Sequence, residues 1–239
     1  MSGLEVSGVS YAYGSRLALQ NVSFKVPSAT FCALLGPNGA GKSTLFNLLT
    51  RLFSTPTGRI EIAGHDLRAR PRIALSHLGI VFQKPTLDLD LTVRQNLKYF
   101  AALHGLSGAM ADKRIDLCLD RLDMLERSGE KARSLNGGHR RRAEIARALL
   151  PEPDVLLLDE PTVGLDTAAR RGITDYVHDL AKQGATVLWA THLTDEIQHD
   201  DHLVLLHQGR VHATGTARSF CGEMALQDRF LQMTGASPL

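Results

Sequence analysis

Apolar positions in this chain fall into two alternating kinds of segment. Residues 31–35, 78–82, 155–158, 186–190 and 202–206 include short runs in which nearly every position is apolar, the pattern of strands buried on both faces. Residues 18–26 and 59–63 add two more strand-type segments. Residues 42–52, 92–104, 110–125, 139–150 and 167–182 read as helices. Within 139–150, Ile145 with Leu149 and Ala146 with Leu150 form one apolar face. The same spacing predicts that Arg140, Arg141, Glu144 and Arg147 lie away from it. Alternation of strands and helices predicts an α/β fold with a largely parallel sheet. Residues from about 85 to 136 break the alternation, with helical patterns and no clear strand, and predict a helical insertion. The stretch up to Val26 predicts extra strands ahead of the core, giving one domain over residues 1–239.

Composition narrows the partners more than the fold. At 44% hydrophobic and 22% charged residues, the chain is neither disordered, collagen-like nor a disulfide-stapled miniprotein. Lys plus Arg number 27 against 25 Asp plus Glu, a net charge of +2, so no nucleic-acid partner is expected. Cys32, Cys118 and Cys221 are scattered without a CxxC pair and predict reduced thiols in a cytosolic protein. No stretch approaches the length of a membrane span, and the opening residues show no secretory pattern.

The first chemical signal is GPNGAGKST: Gly36, Pro37, Asn38, Gly39, Ala40, Gly41, Lys42, Ser43 and Thr44. It fits G-x-x-x-x-G-K-[ST] and stands between a strand segment and a helix segment, as that phosphate-binding loop requires. Glycines let successive backbone N–H groups converge on phosphate oxygens, and the helix adds its positive end. Lys42 supplies a point charge for the outer phosphates, and Ser43 a hydroxyl for Mg²⁺. A nucleoside triphosphate with Mg²⁺ is the expected ligand.

Such a loop needs a metal-binding carboxylate at the end of a neighbouring strand. The segment VLLLDEP provides Asp159 after four apolar residues, and Glu160 directly follows. Asp159 is expected to anchor Mg²⁺ and Glu160 to orient or deprotonate the attacking water. No N-K-x-D motif for reading guanine occurs. The acidic and histidine-rich stretch His199-Asp200-Asp201-His202 reads as a solvated loop, and Arg140-Arg141-Arg142 as a solvated helix face.

Together with these motifs, YAYG containing Tyr13, VFQKP containing Gln83, LNGGH, VGLD and WATH occur in a fixed order. In that order the chain resembles the ATP-binding subunits of ABC transporters over nearly its full length. The resemblance implies a P-loop NTPase core with a mainly parallel sheet, an N-terminal antiparallel β subdomain and an inserted α-helical subdomain. It places the α/β core at 1–84 and 137–239 and the helical subdomain at about 85–136. It implies that Tyr13 stacks on adenine, that Gln83 is a Mg²⁺ ligand signalling to a membrane partner, and that His192 contacts the γ-phosphate. It makes Asn136, Gly137 and Gly138 the signature facing a second subunit's ATP, with Asp166 in the D-loop. The usual signature is LSGGQ; Asn136 replaces Ser and His139 replaces Gln. Asn136 retains a side chain able to cap the following helix and an amide able to donate to phosphate.

The implied activity is ATP hydrolysis by a dimer closed around two Mg-ATP, each chain being a second copy or a close paralogue of the other. It drives export through a separate integral-membrane permease, with the subunit peripheral on the cytoplasmic face. The segment around 86–106 is similar to exporter-type subunits, and LNGGHRRR is similar to a subgroup linked to pyrroloquinoline-quinone-dependent alcohol use. The alternative is a single-domain member of iron–sulfur assembly or cell-division type.

Overall fold

The computed structural model describes residues 2–235. The chain opens with β1 (Ser2–Tyr13) and β2 (Arg16–Pro27), then β3 (Phe31–Leu35), α1 (Lys42–Leu49), β4 (Arg59–Ile62), β5 (His65–Asp66), α2 (Pro71–Ser76) and β6 (Leu78–Val81). Helices α3 (Val93–Leu103), α4 (Gly108–Asp120) and α5 (Gly137–Leu149) follow. Next come β7 (Val155–Asp159), α6 (Thr167–Lys182), β8 (Thr186–Thr191), β9 (His202–His207) and β10 (Arg210–Thr216), and then α7 (Ala217–Cys221) and α8 (Leu226–Thr234).

Two sheets result. The four-stranded one runs β2-β1-β4-β5 and is antiparallel throughout. The six-stranded one runs β10-β9-β3-β8-β7-β6 and is parallel except for the β9–β10 hairpin. The central parallel strands are apolar at nearly every position because both faces are covered. Phe31, Ala33, Leu156, Leu158, Val187 and Trp189 pack on one side with α3–α6. Cys32, Leu34, Val155, Leu157, Leu188 and Ala190 pack on the other with α1 and the antiparallel sheet. A smaller cluster joins Leu203 and Leu205 to Phe230 on α8.

The expected α/β architecture with an antiparallel and a mainly parallel sheet is what the chain adopts. The segment 110–125 is shorter than expected as a helix: α4 ends at Asp120, and Asp123 turns with φ of 55°. Helix α1 likewise stops at Leu49, with Arg51 at φ 58°. Thr92 caps α3 through a reciprocal pair of bonds with Gln95. The hairpin strand β10 escapes the apolar-run pattern because it is half-buried, alternating exposed and partly covered positions along RVHATGT.

The largest correction concerns α5. Arg141, Glu144 and Arg147 do not face solvent; they are 6%, 1% and 5% exposed. The helix packs between the sheet, α4 and the loop after β6, so its second face is covered by backbone that offers carbonyl acceptors. Asp201 is also buried rather than solvated, accepting from His178 Nε2 at 2.8 Å. Among the described residues no cluster of three His, Cys, Asp or Glu is placed to hold a metal ion. Cys32, Cys118 and Cys221 are free and buried, and burial pushes the Cys118 thiol up to about 11. No helix is long and apolar enough to cross a membrane among the described residues.

Candidate functional site

Parallel strands β3, β8 and β7 end together: Leu35 pairs with Thr191, and Asp159 with Ala190. The residues that follow these ends therefore meet at one sheet edge, where ligands of such sheets bind. Gly36 follows β3, Glu160 follows β7, His192 follows β8, and Gln83 lies two residues beyond β6.

The phosphate-loop segment turns tightly between β3 and α1. A Cβ on Gly36 would sit 2.3 Å from the Leu206 carbonyl oxygen, so the loop can leave the sheet only at glycine. Gly41 has φ of 110° and would push a Cβ to 2.9 Å from the Ala18 oxygen. The loop is tied to its surroundings by Gly209 N–H donating to Ala40 O at 2.9 Å and Gln20 N–H to Gly209 O at 2.7 Å. This leaves a cleft of about 740 Å³ lined by Tyr13, Asn38 to Thr44, Gln83 and Glu160. Arg16, Leu17, Ala18, Gln20, Gln208 and Gly209 line it too. These six carry no motif; the strand β2 and the β9–β10 turn bring them in. A separate cavity of about 260 Å³ between Leu48, Phe53 and the β4–β5 region contains none of the motif residues.

Tyr13 is half-exposed at the cleft, its hydroxyl 3.3 Å from Thr44 Oγ1, and it meets Tyr11 and Phe53 edge-on with centroids 5.1 and 5.9 Å away. Edge contacts with its neighbours hold the ring upright.

Lys42 is 4% exposed. Its Nζ donates to Gly36 O at 2.6 Å and Pro37 O at 3.2 Å and pairs with Glu160 Oε1 at 3.0 Å. Glu160 receives a second bond from Gln83 Nε2 at 3.0 Å, and His192 Nδ1 stands 3.4 Å from its Oε1. A left-handed backbone at Glu160, φ 46°, aims the carboxylate into this group. Its N–H donates to Ala190 O at 3.0 Å. Among the described residues, the buried His192 Nδ1 and Asp159 Oδ1 have no hydrogen-bond partner. Burial raises the Asp159 carboxyl to about 6, with the Glu160 charge also raising it and Ser43 and Lys42 opposing.

The signature segment stands apart from the cleft. Asn136 caps α5, its Oδ1 accepting from His139 N–H at 2.8 Å, as its residue type suggests. Asp166 caps α6 the same way through Ala169 N–H at 2.8 Å. The two caps are neighbours, since a Cβ on Gly138 would meet Ala169 at 3.0 Å and one on Gly137 would meet Leu165 at 3.1 Å. Neither Asn136, Gly137, Gly138 nor Asp166 lines the cleft that holds Lys42. At the second substituted signature position, His139 has its pKa pushed down by burial and by the charges of Arg127 and Arg142, so its ring is neutral at pH 7.

One buried carboxylate carries no sequence motif recognised above. Glu196 accepts from Thr162 Oγ1, from Trp189 Nε1 at 3.0 Å and from Thr191 Oγ1 at 2.6 Å. It stitches the segment after Glu160 to the strand before His192.

The comparisons agree with this geometry. Residues 19–163 match the family described as ABC transporter. The chain is 39% identical over 217 residues to the daunorubicin resistance ATP-binding protein DrrA3 of Streptomyces coeruleorubidus, covering 90% of this chain and 69% of that protein. It is 32% identical over 232 residues to the linearmycin resistance ATP-binding protein LnrL of Bacillus subtilis (strain 168), covering 97% and 74%. It is 35% identical over 215 residues to the Nod factor export ATP-binding protein I of Paraburkholderia xenovorans (strain LB400), covering 90% and 71%. Among solved structures, the ATP-binding subunit of an ABC transporter superposes with a TM-score of 0.84 at 29% identity, covering 96% of this chain and 98% of that one. The cbiO1 subunit from Clostridium perfringens, part of the ABC transporter complex cbiONQ, does so at 0.83 and 28%, covering 97% and 95%. Sequence, fold and cleft thus converge: the chain belongs to the ABC transporter family and carries its ATP-binding domain.

Proposed function

We propose that this chain hydrolyses ATP as the motor subunit of an exporter, two such chains closing on two Mg-ATP and driving a separate membrane permease. The observation that carries the reading is the convergence of Lys42, Gln83, Glu160 and His192 at one sheet edge. In this reading the backbone N–H groups of Gly36 to Thr44 cradle the phosphates, and Tyr13 offers its ring face to adenine. Lys42 exchanges its present acceptors for outer phosphate oxygens. That exchange frees the Glu160 carboxylate to take a proton from the attacking water, while His192 steadies the γ-phosphate. The buried, unpartnered Asp159 Oδ1 and the adjacent Ser43 hydroxyl suit an oxygen-seeking cation, with Gln83 as a further oxygen ligand. Mg²⁺ held there would neutralise charge on the β- and γ-phosphates.

Asn136, Gly137, Gly138 and Asp166 would complete the site of the opposite chain, a second copy or a close paralogue, because they lie outside their own cleft. In this reading the helical subdomain spans about residues 85–136, and the described residues on either side of it make the core. Export is supported by the drug-resistance and export names of the relatives, and a position on the cytoplasmic face through the permease is consistent with membership of the ABC transporter family.

The test is Glu160→Gln in the purified protein. Turnover falls about 10²–10⁴-fold, and ATP shifts the protein to a stable dimer in gel filtration. An unchanged elution volume with saturating Mg-ATP would overturn the dimer reading.

A further inference from the structure

Three charged side chains of α5 are buried although the helix already has apolar contacts through Ala143, Ile145 and Ala146. Burying charge is costly, and well-packed apolar residues would hold a helix in place equally well. What Arg141, Glu144 and Arg147 supply instead is direction, because all three converge on the loop after β6.

Arg141 Nη1 donates to Phe82 O at 2.7 Å and Nη2 to Gln83 O at 2.9 Å. A planar guanidinium that serves two successive carbonyls fixes the orientation of the peptide between them. Arg141 is itself held by Glu144 Oε2 at 2.8 Å, while Glu144 Oε1 accepts from Thr86 N–H at 2.6 Å. Arg147 donates to Thr86 O at 3.1 Å and to Thr86 Oγ1 at 2.6 Å, with its guanidinium over the Phe100 ring at 4.5 Å. The backbone at 82, 83 and 86 is thus bound to one helix. From this loop the Gln83 side chain reaches Glu160. The helix begins at Gly137, and Arg140 on its first turn ties back to Leu135 O at 3.1 Å.

We propose that Arg141, Glu144 and Arg147 are positioning residues that lock the loop 82–86 to α5, so that movement at the Asn136–Gly138 end of the helix shifts Gln83 against Glu160. The proposal rests on the reading of Glu160 as the base in ATP hydrolysis. It gives the signature and the catalytic carboxylate of one chain a mechanical link: helix, guanidinium, loop, amide.

Arg141→Lys keeps the charge and loses the fork. The expected result is a fall in kcat of about tenfold with KM within about threefold and Tm within a few degrees of the parent. The double variant with Gln83→Ala should turn over no more slowly than Gln83→Ala alone, because Arg141 acts through Gln83. Losses that multiply, or an unchanged kcat in Arg141→Lys, overturn the proposal. Amide hydrogen exchange without nucleotide provides a readout independent of turnover. Exchange at Thr86 should rise about tenfold or more in Glu144→Gln and Arg141→Lys. It should stay unchanged in Arg142→Lys, whose side chain binds Leu122 O and Asp123 instead. Unaltered exchange at Thr86 in Glu144→Gln also overturns the proposal. A parent protein with no Mg-ATPase activity would sink the hydrolysis reading instead, and the exchange result would still decide whether the clamp exists.

Discussion

Glu160 and Glu196 are both buried carboxylates at the carboxyl edge of the same sheet, 6% and 3% exposed, yet their surroundings are of opposite kinds. Glu160 faces an ammonium, an amide and an imidazole drawn from three different segments, all bordering the cleft or its rim. Those are groups that a triphosphate would also attract. Glu196 faces two hydroxyls and an indole N–H, neutral donors on buried residues. Thr191 is fixed in turn by Leu193 N–H at 3.0 Å to its Oγ1. Burial therefore does not separate the carboxylate proposed as the base from one held by neutral donors. The exchangeability of the partners does.

The two carboxylates should differ most in turnover. Glu160→Gln is expected to lose about 10²–10⁴ in kcat, equivalent to roughly 3–5 kcal/mol of barrier. Glu196→Gln, which retains one acceptor oxygen, should lose less than about tenfold, since no step of proton transfer passes through it. Steady-state ATPase assays of the two variants side by side decide this. Equal losses would mean that Glu196 belongs to the chemistry.

Stability should show the reverse ranking. Glu196→Ala leaves the buried Thr162 and Thr191 hydroxyls and the Trp189 indole without their carboxylate acceptor. At about 1 kcal/mol for each lost bond, the cost is roughly 3 kcal/mol. Urea titration measures it. A midpoint equal to that of the parent would show that water reaches the pocket and that the three donors are not sealed.

The same contrast explains what could be read before the structure. The place of Glu160 at the sheet edge beside Lys42 was legible because it sits in a local pattern, an apolar run ending in two acids. Glu196 was not, because its partners come from Thr162, Trp189 and Thr191, and only folding brings β7 and β8 side by side. Arg141 was misread as solvated, and the burial of Glu144 and Arg147 was not foreseen, for a related reason. Helical periodicity distinguishes one apolar face from the remainder, but it cannot anticipate that a loop will lay its carbonyls over the charged side. The central strands were readable because burial on both faces leaves continuous apolar runs. The half-covered β10 and the two-residue β5 leave no such trace.

A smaller effect tests the substituted signature. Asn136→Ala removes the acceptor for His139 N–H at the start of α5, costing about 1 kcal/mol of stability. If Asn136 also donates to the partner chain's phosphate, the variant should weaken ATP-dependent dimerisation beyond what that loss of capping explains. Asn136→Ser separates the roles, since serine caps equally well while offering a hydroxyl in place of the amide. Dimerisation and turnover unchanged in Asn136→Ala would leave the residue as a cap alone.

The smallest expected effect lies away from the cleft, at the buried His178–Asp201 pair. His178 on α6 stacks on Phe31 at 3.8 Å between centroids and bonds Asp201 at 2.8 Å and Thr174 O at 2.9 Å. Burial works against its charged form, but the bond and charge of Asp201 together with the Thr174 carbonyl outweigh it, so its pKa is raised. The Lys182 charge one turn further along α6 opposes the rise. A histidine whose folded pKa exceeds its unfolded value stabilises fully below the unfolded value, near 6.5, and loses that contribution as pH climbs through the folded value. The stability difference between parent and His178→Gln should therefore be greatest near pH 6 and shrink above the usual histidine range. Denaturant titrations across that window test the sign. A difference that grows with pH would mean that the ring is held neutral, and that Asp201, like Glu196, is satisfied by neutral donors.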